Sequence, residues 1–586
     1  MNHKLSRIKI QNFRSVINEE FILTDFTPMV GYNNAGKTNI LRSCNWILRK
    51  TSLNKEDFNN INKAVEIEAE IIGISTDLLD KLEDKHKKKM TEFVIDEKLE
   101  LKRVQSKPSE SVKEIKLYVK DKNKNWTLNP TGIDNAIIEL FPDPILVNAM
   151  ENAEEDVSKF KTSTTIGKLI SEIINPLIEE HGSKLKDQID AIKNLLGADS
   201  SEKAQQLKDF DIKANEYLES LFPNLKVKID IPSPEIKEVL KSGTIKVYEN
   251  GYSSEGRDVS SLGNGAQRAI QMALIRQLSD VKKSKNEYTK TLLLIDEPEL
   301  YMHPQGIEQI RYALKKLSKE GYQVIFATHS PLLISSKDIN STILVRQNKD
   351  KGTYTRKSIK EAIEEVIEDA PSQLEMLFSL NNSNQILFCE KVILSEGRTE
   401  EKLLPEIFEI ITSETLSFNK IAFIKQGGVD NTGKSIKILN VMDLPVKAIV
   451  DLDYAFKSAI TDAVLMDDDS DLLECKKIFT ELEKKGEIKL NNGLPQNKDS
   501  KYSASEAFFK MATDKRVQKN INNIYKKLLK ENIWVWEKGC IENHLGIEGK
   551  KEKIWSKFIH DIEKNGIDKT IIDFNSIKEL INWMKL

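Results

Sequence analysis

Two groups of residues in this 586-residue chain have the types and spacing of a chemical site. The first begins with Gly31-Tyr32-Asn33-Asn34-Ala35-Gly36-Lys37-Thr38, which fits GxxxxGK[ST] at each fixed position. Glycines let backbone N–H groups curl around a phosphate, and a helix opening there adds positive potential. Asn33, Asn34, Ala35 and Gly36 would form the cradle for ATP. Lys37 would reach its β- and γ-phosphates, and the Thr38 hydroxyl would sit on Mg²⁺. Leu292-Leu293-Leu294-Ile295 is an apolar strand that ends in Asp296-Glu297. Asp296 would hold the Mg²⁺ shell, and Glu297 would orient or deprotonate the attacking water. Ser260-Ser261-Leu262-Gly263-Asn264-Gly265 precedes a helix and offers a second anion cradle through Ser261, Gly263 and Gly265. Val324-Ile325-Phe326-Ala327-Thr328-His329 ends another strand with a histidine. A lone histidine is usually structural, but beside an acid-tipped strand His329 reads as catalytic.

The second group is acidic. Val392-Ile393-Leu394-Ser395-Glu396-Gly397-Arg398-Thr399-Glu400 reads as strand, tight turn and helix start, with Glu400 one helical turn after Glu396. Ala448-Ile449-Val450-Asp451-Leu452-Asp453 ends an apolar strand with two aspartates that period two places on one side. Strand C-termini in a parallel sheet are where sites form. Four convergent carboxylates raise one another's pKa unless cations neutralise them, and oxygen-only ligands favour Mg²⁺ or Mn²⁺ over zinc. Asp467-Asp468-Asp469 reads instead as an exposed acidic loop, and Lys85-His86-Lys87-Lys88-Lys89 as a solvated loop or helix face.

The elements that must hold these groups alternate between strand and helix, so the fold class is α/β. Strands are expected at the N-terminus, at Val65–Ile74, Phe93–Val104, Ile115–Val119, Leu225–Ile231, Ile245–Tyr248, Leu292–Ile295 and Val324–Ala327. A helical stretch from Ile166 to Phe222 interrupts them, and a helix is expected over Ala266–Leu278. Residues 351–385 read as a polar, mostly helical connector. A new βαβ pattern then runs from Lys391 to Val450, with Pro405 expected to bend its first helix, and Ile533–Trp536 is a late strand. With 88 Lys and Arg against 91 Asp and Glu, the net charge of −3 excludes a globally basic nucleic-acid glove. No apolar run is long enough for a membrane span, and Met1–Asn12 lacks the apolar core of a secretory signal. Cys44, Cys389, Cys475 and Cys540 form no CxxC pair, which argues against structural zinc or disulfides and for a reducing, cytoplasmic setting.

The first group, with the opening Ile8-Lys9-Ile10-Gln11-Asn12-Phe13-Arg14-Ser15, resembles the ABC-type ATPases of the RecF and SMC sort. The resemblance implies a head dimer, with ATP held between Lys37 of one subunit and Ser261–Gln267 of the other. It also implies His329 as a γ-phosphate switch and Glu299–Pro304 as a dimer-facing loop. Those ATPases carry a glutamine after the first helix, whereas no Gln lies between Thr38 and Arg103 and the chain offers Asp57-Phe58 there. The acidic group is similar to the Toprim domain, with Glu396 as its first acid and Asp451 and Asp453 as its DxD. A topoisomerase would need a nucleophilic tyrosine on a further domain, and a primase would need a zinc module that the cysteines cannot supply.

An ATPase split by a helical insertion and followed by Toprim is the layout of the overcoming lysogenization defect (OLD) family. The chain resembles its class 1 type, close to the phage-encoded founder. The implied domains are an ATPase at 1–154 and 226–350, a helical dimerisation insertion at 155–225, a connector at 351–385 and a Toprim nuclease domain at 386–586. The implied activity is ATP-binding and ATP-hydrolysing, metal-dependent cleavage of DNA, as an endonuclease or exonuclease, in phage exclusion or DNA processing. The implied assembly is a homo-oligomer, a dimer or tetramer. The resemblance adds Glu542 as a ligand of a second metal, places Cys540 where many relatives have an acid, and calls for a lysine among Lys550, Lys551, Lys553 and Lys569. The alternatives are a repair-type or SMC-like ATPase that binds DNA without cutting it, and a scaffold whose ATP state recruits another effector.

Overall fold

A computed structural model of the chain describes residues 3–141, 144–149, 165–222, 224–232, 235, 245–248, 256–284, 290–356, 383–426 and 432–585. The chain divides into two compact units. One takes Met1–Met29, Gly36–Leu333 and Gln347–Tyr354; the other takes Val30–Ala35, Ile334–Arg346 and Thr355–Leu586.

The first unit opens on an antiparallel array. Lys4–Phe13 pairs with Val16–Ile22 on one side and Val65–Ile72 on the other. Lys98–Gln105, Lys116–Lys120 and Trp126–Leu128 extend it. Alternation decides which face is covered: Ile67, Ala69, Ile71, Leu99 and Leu101 are buried, while Glu66, Glu68 and Glu70 point the other way. The helix Lys37–Leu48 buries Ile40, Leu41, Cys44, Ile47 and Leu48, a stripe at helical spacing. A second array is parallel: Tyr322–Thr328, Thr291–Asp296 and Ile145–Val147 lie side by side. Thr291–Asp296 and Tyr322–Thr328 are buried along their whole length, which requires cover on both faces. Each buried Leu or Ile there contributes about 1.5–3 kcal/mol. Their register sets Asp296 opposite Ala327, so both strands deliver their terminal residues to the same edge.

Several elements differ from the sequence expectation. Leu225–Ile231 has strand alternation but forms no strand. Its backbone is satisfied by side chains of the helix Gln205–Glu219: Asn215 donates through Nδ2 to the Val227 carbonyl and accepts through Oδ1 from the Val227 N–H, and Asp211 accepts from the Ile229 N–H. The strand expected from Phe93 starts only at Lys98, because Asp84–Phe93 is a helix, the helix alternative for Lys85–Lys89, with His86, Met90 and Phe93 giving it a buried face at helical spacing. The connector opens with a strand, Gly352–Thr355, whose Gly352 pairs with Val16; residues 357–382 lie outside the described residues. The insertion supplies helices Thr165–Leu196 and Gln205–Glu219, and its residues 155–164 are also outside the description.

The second unit is built on a parallel sheet in the order Ile421–Lys425, Lys391–Ser395, Val446–Val450, Ile533–Val535. Alternate residues feed two cores. Val392, Leu394, Ala448, Val450, Ile533 and Val535 enter one; Ile393, Ile449 and Trp534 enter the other, with helices Arg398–Thr412 and Phe574–Lys585. All four cysteines are buried and free. Among the described residues, no helix is long and apolar enough to cross a membrane.

Candidate active sites

In the first unit, Lys37 is 5% exposed and its Nζ lies 2.9 Å from His329 Nε2. Thr38 Oγ1 donates to Asp296 Oδ2 at 2.7 Å. His329 Nε2 is 3.4 Å from Glu297 Oε1. The sequence-predicted Lys37, Thr38, Asp296, Glu297 and His329 therefore form one cluster at the strand tips. Burial, then the neighbouring Glu297 charge, raises the Asp296 pKa; burial and the Lys37 ammonium lower that of His329. Asn34 and Gly36 both have left-handed backbone, at φ 64° and 100°, which shapes the cradle, and Asn33 and Asn34 are exposed while Ala35 is buried. A side chain at Gly36 would collide with Thr353.

Arg268, Glu299 and Ser15 support this cluster, and sequence reasoning gave none of them that part. Arg268, 7% exposed, donates through Nη2 to the carbonyls of Asp296 and Glu297 at 2.8 and 3.1 Å, bracing a turn where Glu297 has φ 48°. Glu299, expected on a dimer-facing loop, turns inward: Oε1 accepts from Thr328 Oγ1 and from the His329 and Ser330 N–H groups at 2.7, 2.7 and 3.1 Å. Ser15 accepts from Asn39 and Thr353 at 2.7 Å each. Ser261 and Gly263 are exposed, Ser261 donating to the Asp258 carbonyl, while Gly265 packs against the Tyr301 carbonyl. Asp57, offered in place of the missing glutamine, is ion-paired to Arg14 at 2.7 Å.

In the second unit, Glu396 follows Lys391–Ser395, Asp451 and Asp453 follow Val446–Val450, and Glu400 sits in the first turn of Arg398–Thr412. Their strands are neighbours, so the acids share one sheet edge. The Asp451 N–H donates to Glu396 Oε2 at 2.9 Å. Trp536 Nε1 donates to Glu400 Oε1 at 3.2 Å, and Thr399 Oγ1 donates to Glu542 Oε1 at 2.6 Å. Glu400 and Glu542 are 3% and 6% exposed. Burial, then the Asp453 charge, pushes Glu396 up to about 8; burial, then Glu542, pushes Glu400 up to about 7. Asp451 and Asp453 are raised too, mainly by burial.

Lys550 is the lysine that faces this cluster. Its Nζ is 3.6 Å from Glu542 Oε1, and although burial opposes its charge, Asp451, Glu542 and Glu400 hold its pKa up. Cys540 is buried beside Asp451 and Glu542, and burial pushes its thiol up to about 12. Asp469 leaves the acidic loop to cap the helix Ser470–Lys484 and to pair with Lys527 at 2.6 Å.

Among the described residues, no three His, Cys, Asp or Glu groups are already drawn together as metal ligands. The acids nonetheless fit divalent cations in donor chemistry. They are oxygen donors, they repel one another, and Asp451 Oδ1, Asp453 Oδ1 and Glu542 Oε2 are buried without a hydrogen-bond partner among the described residues.

Residues 4–334 match the AAA ATPase domain family, and residues 387–453 match the overcoming lysogenization defect protein-like TOPRIM domain. The chain is 35% identical over 594 aligned positions to the Old nuclease of Escherichia phage P2, covering 100% of both chains. It is 25% identical over 470 positions to endonuclease GajA of Bacillus cereus, covering 78% of this chain and 75% of that one. It is 22% identical over 469 positions to the OLD nuclease of Thermus scotoductus, covering 77% and 82%.

Proposed function

The chain belongs to the overcoming lysogenization defect family and is an ATPase–nuclease of the OLD type, and from that premise we propose that it hydrolyses DNA phosphodiesters with Mg²⁺ or Mn²⁺. The observation that carries this reading is the meeting of Glu396, Glu400, Asp451, Asp453 and Glu542 at one edge of a parallel sheet, with Lys550 beside them. Those five acids would hold the divalent ions. Bound there, such ions polarise a phosphate and lower the pKa of a water that attacks it. The protein's own groups orient the acids: the Asp451 N–H aims Glu396, Trp536 aims Glu400 and Thr399 aims Glu542. The Lys550 ammonium offsets charge that builds on the phosphate during displacement.

Residues 33–38 would wrap the phosphates of ATP. Thr38 and Asp296 would hold its Mg²⁺, Glu297 would act on the attacking water, and His329 would sense the γ-phosphate from the position Glu299 gives it. Ser261, Gly263 and Gly265 would close on the nucleotide of a second copy, so the working form is a homo-oligomer, a dimer or tetramer. Phage exclusion or DNA processing is the biological setting this activity suits.

The test is cleavage of supercoiled and linear DNA in Mn²⁺ or Mg²⁺, with and without ATP. Asp453→Ala is expected to lower cleavage by about 10²-fold or more and to leave ATP hydrolysis in place. Undiminished cleavage by Asp453→Ala would put the chemistry elsewhere in the chain. ATP hydrolysis without any cleavage by the unaltered chain would favour the ATPase that binds DNA and does not cut it.

A further inference from the structure

One aromatic ring in the nucleotide loop is gripped by the start of the nuclease sheet. Tyr32 lies five residues before Lys37. The Arg346 guanidinium is 4.7 Å from its ring centroid and Lys420 Nζ is 4.6 Å from it, both within cation–π range. The Tyr32 hydroxyl faces the Glu390 carboxylate, which also pairs with Lys420 at 2.6 Å. Arg346, 2% exposed, donates through Nη2 to the carbonyls of Leu387 and Cys389 at 3.3 and 3.1 Å. The Lys420 carbonyl accepts from the Glu390 and Lys391 N–H groups at 2.9 and 3.3 Å. Gly31 is pressed so closely on the Val345 carbonyl that a side chain there would collide with it. Gly31, Tyr32, Val345, Arg346, Glu390 and Lys420 all belong to the second compact unit.

This hub sits where two strands begin. Glu390 leads into Lys391–Ser395, which ends at Glu396, and Lys420 leads into Ile421–Lys425. Lys391–Ser395 is paired on both sides, so it moves as a unit, and displacement at its start reaches Glu396. Backbone N–H groups that close on a phosphate must re-aim the loop that carries them. We propose that Tyr32 and Lys420 are positioning residues that tie the nucleotide loop to the strand bearing Glu396, so that ATP binding changes the acidic site's rate of DNA cleavage. This inference rests on the nuclease reading above and names the route of its regulation.

The experiment compares the full chain with Lys420→Ala and Lys420→Arg. Lys420 is half exposed and is neither a phosphate-cradle residue nor one of the acids, so its removal should leave the folded chain, ATP hydrolysis and ATP-free cleavage within about twofold. In the unaltered chain, ATP is expected to change the cleavage rate by about fivefold or more, and a non-hydrolysable ATP analogue to change amide exchange in residues 389–396. Lys420→Ala should bring the rate ratio close to one and abolish the exchange response; Lys420→Arg should restore both. A full ATP response in Lys420→Ala, or no ATP response in the unaltered chain while it cleaves DNA, overturns the coupling. No cleavage under any condition overturns the nuclease reading instead, and the exchange measurement then decides the coupling by itself.

Discussion

Glu396 and Glu400 hold their protons to about 8 and about 7, against an ordinary 4.5, because burial and neighbouring carboxylates penalise the charged forms. The sign follows from linkage. A raised folded-state pKa gives stability that is complete below about 4.5 and is lost as pH climbs through 7 and 8. The metal-free chain in EDTA should therefore melt at steadily lower temperature from pH 5 to pH 9. Glu396→Gln should flatten the upper part of that slope, and a slope unchanged by Glu396→Gln would remove the electrostatic account. Added Mn²⁺ should raise the melting temperature most at the alkaline end. Lys550 is the second residue with a sharp expectation: Lys550→Ala should reduce cleavage by about 10²-fold, whereas alanine at Lys551, Lys553 or Lys569 should stay within about twofold. Sequence alone could not choose among these four. The choice is made by a chain reversal after the helix Ile541–Leu545, where Gly546 and Gly549 adopt φ 80° and 100° and bring Lys550 back toward Glu542.

At the scale of elements, the glycine between Glu396 and the helix Arg398–Thr412 sets the room for Glu400. A methyl group at Gly397 would meet the Glu400 carboxylate. Gly397 has an extended backbone, so Gly397→Ala should leave the melting temperature nearly unchanged and lower cleavage by about tenfold, measured as initial rates. The short helix Ile541–Leu545 depends on a different support. Its His544 bonds Asp573 at 2.9 Å, and Lys538 pairs with the same carboxylate at 2.7 Å. Asp573→Ala should cost about 1–3 kcal/mol in denaturant titration and weaken cleavage through Glu542. The central strands were legible because their apolar runs, buried on both faces, read as uninterrupted and end at the acids. Leu225–Ile231 was misread for a physical reason: alternation marks a chain that could join a sheet, but Asn215 and Asp211 satisfy its backbone first. The bracing side chains Arg268, Thr399 and Trp536 gave no signal, since nothing in their spacing says which distant residue they meet.

Across the whole molecule, the order of the two halves was readable from motif order, but their interleaving was not. Val30–Ala35 and Ile334–Arg346 belong with the second unit although they are embedded in the first by sequence. Residues so far apart along the chain reveal their association only through packing. The two sites should still bind their ligands separately. Lys37→Ala should abolish the thermal shift caused by ATP, worth about 2.7 kcal/mol at a hundredfold excess over Kd, and preserve the shift caused by Mn²⁺ without nucleotide. The four free thiols give this two-unit chain built-in clocks. Cys44 lies on the helix that follows the phosphate loop and Cys540 beside the acids, and both are buried. Alkylation of each sulfur can proceed only as fast as its own surroundings open, so mass spectrometry of reagent uptake would time the breathing of either half without a label.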